Sequence, residues 1–248
     1  VQKLQQITER KRDDPMLYPF YFDSTYILII IGAILCLLAS AKVRSTYSRY
    51  QRVRSASGLT GREAAERILY YSGIQDVRVE HVAGNLTDHY DPRSKVLRLS
   101  DTTYGSPSVA AVGVAAHVCG HAIQHARGCA PLSFRSALVP LANFGSTIAW
   151  PLIILGFLFN NQSSQLFINI GILAFSLAVL FQIVTLPVEF NASGRALRIL
   201  SETGMLQSEE LSMTRKVLSA AALTYVASAA AAILQLLRLI LLANRRED

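Results

Sequence analysis

Residues 24–41 read STYILIIIGAILCLLASA, eighteen positions without a single charge. A spanning helix needs about 20 predominantly apolar residues. Three further stretches repeat the pattern, near 136–159, 166–187 and 217–243. None holds an acidic residue, and Arg238 is their only basic one, near the end of the fourth, where its stem can lie along apolar surface. Four such runs in 248 residues are hard to bury in a soluble core. With 51% hydrophobic residues and a mean hydropathy of +0.32, the chain reads as a mainly α, polytopic membrane protein with four transmembrane helices. The first run is not a signal peptide, because a basic segment follows it instead of a small-residue cleavage site. Tyr18, Phe20, Tyr21 and Phe22 before it, and Tyr47 and Tyr50 after it, include the tyrosines of an interfacial belt.

The spans divide the chain. Residues 1–15 are a polar N-terminal extension with no fold role, of vector or upstream origin, and 16–43 hold the first span. Residues 44–135 form a small α+β insert, 136–159 the second span and 166–187 the third. A polar segment, 188–216, precedes the fourth span at 217–243. The net charge of +7 comes from 24 Lys and Arg, of which 17 lie between the first and second spans or between the third and fourth. A short turn at 160–165 puts both segments on one side, which the positive-inside rule makes cytoplasmic. No interleaving of basic and aromatic residues suggests a nucleic-acid surface. Cys36, Cys119 and Cys129 show neither a disulfide framework nor a CxxC pair.

Within the insert, LTGREAAERILYYSG (59–73) predicts a helix capped by Thr60, with Glu63 at the capping-box position and Gly73 as its stop. VRVEHVAG (77–84) and KVLRLS (95–100) alternate as strands do, giving a hairpin with a wide loop or three short strands. The segment 106–128 predicts a helix with Ser106 at its cap, Pro107 in its first turn and Gly128 past its end.

That helix carries HVCGHAIQH (117–125). His117 and His121 are four residues apart, so both imidazoles can reach one Zn²⁺. The spacing alone also occurs on ordinary polar helix faces. The small apolar residues at 112–116 favour a buried helix, where histidines need partners. His125 lies eight residues from His117, about 12 Å along the axis, which makes it a supporting residue and not a ligand. Cys119 points to the opposite side and reads as core. Glu189, where the third span ends, is either a third ligand or an interfacial carboxylate bonded to water or Arg195. Asn191 and Ser193 follow it closely and can steady a ligating histidine or face headgroups.

The stretches FDSTYILI (22–29), LTDHYDPRSKVLRLSD (86–101), VAAHVCGHAIQHA (114–126) and LPVEFNAS (186–193) together resemble the YugP-like family of bacterial membrane zinc metallopeptidases, from about Met16 to the fourth span. The resemblance implies zinc held by His117, His121 and Glu189, a bacterial plasma-membrane location, and a peptide or membrane-protein substrate. It also implies that the strand before the His helix, Lys95, Val96, Leu97, Arg98 and Leu99, is an edge that pairs with extended substrate. The family motif is HExxH, and its Glu is the general base that takes a proton from the attacking water and passes it to the leaving amine. Val118 stands at that position here. The metal ligands are untouched by this change, so the expected protein binds zinc and cleaves poorly, or binds membrane-protein segments as an adaptor without cleaving them. A natural inactive relative, an engineered form or a one-base codon change would each place valine there. Asp88, Asp91 and Asp101 could substitute for the base only if the fold brings them in. His89, Tyr90 and Tyr225 are candidates for stabilising an oxyanion.

Overall fold

The structure is a computed structural model that describes residues 23–159 and 164–245. The extension 1–15, the aromatic residues at 18–22 and the turn at 160–163 lie outside the described residues.

Among the described residues, four helices are long and apolar enough to cross a membrane. They are α1 (Tyr26–Tyr50), α5 (Ala130–Leu158), α6 (Ser164–Glu202) and α7 (Ser208–Asn244). At 1.5 Å per residue, 25 residues reach about 37 Å, enough for a hydrocarbon core of about 30 Å. The 39 residues of α6 and 37 of α7 are longer than that need. Their extra turns pack against the insert. The boundary drawn at 187/188 from hydropathy therefore falls inside one continuous helix. Pro187 lies within α6, and Pro140 and Pro151 lie within α5, without ending either. Neighbouring helices tolerate the lost N–H in such settings.

The four helices pack in a row, α5 on α6, α6 on α7 and α7 on α1. Small residues bring α5 and α6 close. A Cβ on Gly145 would stand 2.4 Å from the Ala174 carbonyl oxygen, so only glycine fits. At one end of the row, Arg245 pairs with Asp23, and the Arg238 guanidinium lies 4.3 Å over the Tyr26 ring.

The insert holds α2 (Gly61–Tyr71), β1 (Arg78–Val82), β2 (His89–Asp91), β3 (Val96–Ser100), α3 (Asp101–Tyr104) and α4 (Val109–Ala126). The Thr60 hydroxyl accepts from Glu63 N, and the Glu63 carboxylate accepts from Thr60 N, which completes the capping box. α4 begins later than expected. Ser108, not Ser106, caps it by accepting from Ala111 N, because residues 53–55 pair with 107–109 and hold the preceding chain extended. Gly128 follows with φ +58, as its position after the helix requires.

The sheet is three-stranded with order β1-β3-β2. β1 and β3 are parallel, so the hairpin option fails and the three-strand option holds. This corrects the substrate-edge assignment. β3 is central, paired with β1 along 96–100 and with β2 along 96–98. Val96, Leu97 and Leu99 are buried, and Arg98 sits between Glu80 and Asp91. Lys95 precedes the strand and pairs with Asp76. The backbone of 96–98 is thus flanked on both sides and has no free side for a peptide. The free edge near α4 belongs to β2.

α4 is wedged between α2, α6 and α7, and its small residues allow the close approach. Ile68 of α2, Leu97 and Leu99 of β3, Ile123 of α4 and Leu200 of α6 form the shared core. A Cβ on Gly120 would lie 2.6 Å from the Ala192 carbonyl oxygen, so the backbones of α4 and α6 touch there. The buried Glu210 carboxylate accepts from Ala56 N, and the Tyr47 hydroxyl donates to the Thr102 carbonyl, tying the insert to α7 and α1.

Candidate metal centre

The Gly120–Ala192 contact brings Glu189 of α6 under the two histidines of α4. His117, His121 and Glu189 each offer one ligand atom, and the three atoms lie within 4.8 Å of one another. Glu189 Oε2 stands 3.3 Å from His117 Nε2 and 3.4 Å from His121 Nε2. Two metal–ligand bonds of about 2.0–2.1 Å at a tetrahedral angle place their ends roughly 3.3–3.4 Å apart. Oε2 is also buried with no hydrogen-bond partner. An orphaned carboxylate oxygen facing two ring nitrogens is what a cation would satisfy. The His₂Glu donor set suits Zn²⁺ with a position left open for substrate.

The opposite ring nitrogens are held from behind. His117 Nδ1 is 3.1 Å from the Ser193 hydroxyl, and His121 Nδ1 is 3.1 Å from Gln124 Oε1. The second contact settles a tautomer. Arg195 Nε donates to Asn191 Oδ1, and Gln124 Nε2 donates to both Asn191 Oδ1 and the Val188 carbonyl. Gln124 therefore presents its oxygen to His121. The His121 Nδ1 must be the donor, so in the neutral ring that binds a metal it is Nε2 that is free to face Glu189. Burial holds His117 below the usual histidine range, a shift toward the neutral ring that a metal needs. Asn191 thus acts on His121 through Gln124, while Ser193 acts directly on His117.

Gln124 carries only a faint signal in the sequence, a polar side chain one helical turn past His121 on an otherwise apolar helix. In the fold it is 2% exposed. Gln124→Leu keeps approximate volume and removes the acceptor. Its expected effect is a loss of about 10–100-fold in zinc affinity with the fold retained, read by competition against a chelator.

The remaining candidates separate clearly. His125 is exposed and contacts Tyr90, its Nδ1 2.9 Å from the hydroxyl, and it takes no part in the ligand cluster. Cys119 is fully buried, its thiol pushed up by burial and directed at the Ala65 carbonyl. Val118 is 3% exposed and lines a cavity of about 520 Å³ above the ligands. Asp88 also lines it, but its carboxylate accepts from Ser100 N and Ser100 Oγ. Asp91 caps a turn through Arg93 N and Ser94, and Asp101 accepts from Gly84 N and faces His81. All three carboxylates are committed to structure. Tyr90 and His89 of β2, His125 of α4, Arg135 and Ser136 of α5, and Thr224 and Tyr225 of α7 add to the polar lining.

The chain resembles known proteins over most of its length. Residues 25–244 match the family profile described as "Putative neutral zinc metallopeptidase". The chain is 45% identical over 225 residues to the "Putative membrane protease YugP" of Bacillus subtilis (strain 168), covering 90% of this chain and 99% of that protein. No solved structure matches it. A match from α1 to the last residue of α7, over a fold that brings two helical histidines to a buried glutamate, leads to one conclusion: the chain belongs to the neutral zinc metallopeptidase family.

Proposed function

We propose that this protein is a zinc-dependent endopeptidase scaffold of the bacterial plasma membrane, with its site facing the cytoplasm and its catalysis weakened by Val118. The observation that carries the reading is the convergence of His117, His121 and Glu189 beneath a cavity that also exposes a strand edge. Zinc, when bound, supplies the Lewis acidity that activates water and polarises a peptide carbonyl. The chain's own residues do the rest. The Gln124 amide holds His121 in the ligating tautomer, and the Ser193 hydroxyl positions the His117 ring. The free edge of β2 offers backbone groups to an extended peptide, which gives affinity without a strict sequence code. The cavity lies between this edge and helices α5 and α7, so an unwound segment of a membrane protein suits it better than a folded soluble domain. The cytoplasmic orientation rests on the 17 Lys and Arg around the insert.

A second reading has its own support. Val118 offers no group that accepts a proton, so capture of peptide segments without cleavage suits the chain as an adaptor. One experiment separates the two. The zinc-loaded chain is incubated at high concentration with a library of extended peptides, with and without chelator. Slow, chelator-sensitive cleavage is expected. Binding without any cleavage favours the adaptor, and a zinc-loaded chain that neither binds nor cleaves overturns both.

A further inference from the structure

Among the described residues, Arg135 is the one lysine or arginine in the lining of the cavity over the metal centre. It sits in the second turn of α5, on the face that also presents Leu132, Ser136 and Val139 to the cavity. Its guanidinium lies 5.9 Å over the Phe181 ring of α6, which seats it without consuming a donor. Its side chain is 30% exposed, yet Nε is buried with no hydrogen-bond partner. The nearest anion is Glu189, whose Oε1 is 3.8 Å from Arg135 Nη1, beyond hydrogen-bond distance. That carboxylate already faces the two histidines. The fork of donors on Arg135 is thus permanently charged and partly desolvated, and among the described residues its one ion pair is the long one to Glu189, with no acceptor at bonding distance. Such a group is costly unless something pairs with it.

We propose that Arg135 binds a carboxylate of the peptide substrate. The inference rests on the peptide-site reading above. A planar guanidinium takes a carboxylate through two parallel hydrogen bonds, and the apolar neighbours Leu132 and Val139 strengthen them by excluding water. The position sets where the anion lies. Arg135 Nη1 stands 3.8 Å from the outer oxygen of Glu189, whose other oxygen faces the two histidines. Each residue of extended chain spans about 3.3–3.6 Å, so the bound anion falls within about two residues of the peptide bond at the metal. An Asp or Glu side chain at that point, or a free C-terminus, supplies the same chemistry. The first makes the protein an endopeptidase selective for acidic sites, and the second makes it trim chain ends.

The test uses the full-length, zinc-loaded chain and three fluorescent peptides of otherwise identical sequence. One is neutral and amidated, one carries a single Glu, and one ends in a free carboxylate. Fluorescence anisotropy is expected to show about tenfold tighter binding of at least one carboxylate peptide than of the neutral one. Which of the two is favoured identifies the source. Arg135→Gln is expected to bring the three affinities within about twofold of one another while zinc stoichiometry stays unchanged and the thermal midpoint does not fall. Arg135→Lys, which keeps charge but loses the fork, is expected to retain part of the preference. Equal binding of all three peptides by the natural chain overturns the inference, as does a preference that survives Arg135→Gln. Loss of zinc from Arg135→Gln also overturns it, since Arg135 would then serve to hold Glu189. Failure of the zinc-loaded chain to bind any peptide removes the peptide-site reading itself.

Discussion

Val118→Glu is expected to raise peptide cleavage by about 10²–10⁴-fold, the usual contribution of a positioned acid–base group. Val118 neighbours His117 and lines the cavity, so a glutamate there has a route to the space where water and substrate meet. The substitution leaves all three ligands in place, and zinc stoichiometry should not change. The gain should vanish on addition of chelator. Val118→Gln matches the size of the new side chain without its basicity and should show no gain. The new carboxylate also carries a stability cost, because the position is 3% exposed and a charge there needs water or metal to offset its burial. A lower thermal midpoint beside higher activity is therefore the expected pair of readings. Equal cleavage by zinc-loaded Val118→Glu and the natural chain would show that the proton acceptor is not required at this position.

The second large effect concerns Glu189. Glu189→Ala is expected to lower zinc affinity by more than about 100-fold, beyond the loss typical of an outer partner. Two neutral imidazoles remain, and a two-ligand site holds zinc poorly. Because alanine also leaves a hole between α4 and α6, Glu189→Gln supplies the control that keeps volume. It should lose zinc too, since an amide oxygen is a weaker ligand than a carboxylate. Metal content measured after dialysis against a weak chelator reads both variants. Undiminished zinc in either would take Glu189 out of the centre. Comparison with Gln124→Leu then ranks ligand against support.

Much of the architecture was legible because its signals are long. Four apolar runs survive any uncertainty about their ends, and the i,i+4 histidines need only a helix to converge. Glu189 stood out because a carboxylate at the mouth of an apolar span demands an explanation. What escaped were features set by tertiary packing. β2 is three residues, His89–Asp91, too short for alternation to register, so the sequence left three strands as one of two options and did not give the order that puts β3 in the centre. Gln124 looked like one more polar residue on a helix until Asn191 and Val188 fixed its amide. Arg135 counted toward the charge asymmetry of the loops, and only its place over Phe181, facing the cavity, sets it apart. The length of the helix that carries the third span was not legible either, because a hydropathy window stops where polar residues begin, whereas the helix continues to Glu202.

The backbone contact between Gly120 and Ala192 has a mechanical consequence. α6 is one rod that carries Phe181 beneath Arg135, the candidate ligand Glu189, and Asn191 and Ser193, which contact Gln124 and His117. Its apolar half lies in the bilayer, where a mismatch between helix length and hydrocarbon thickness is relieved by sliding, tilting or thinning. Sliding by one residue would move Glu189 about 1.5 Å along the axis. With no side chain to yield at Gly120, such a slide would drive backbone into backbone. The rod is left to tilt about that contact, and the three ligand atoms, which lie beside the pivot, are displaced least. A thinner or thicker membrane should then alter the width of the cavity between α5 and α7 before it alters the affinity for metal.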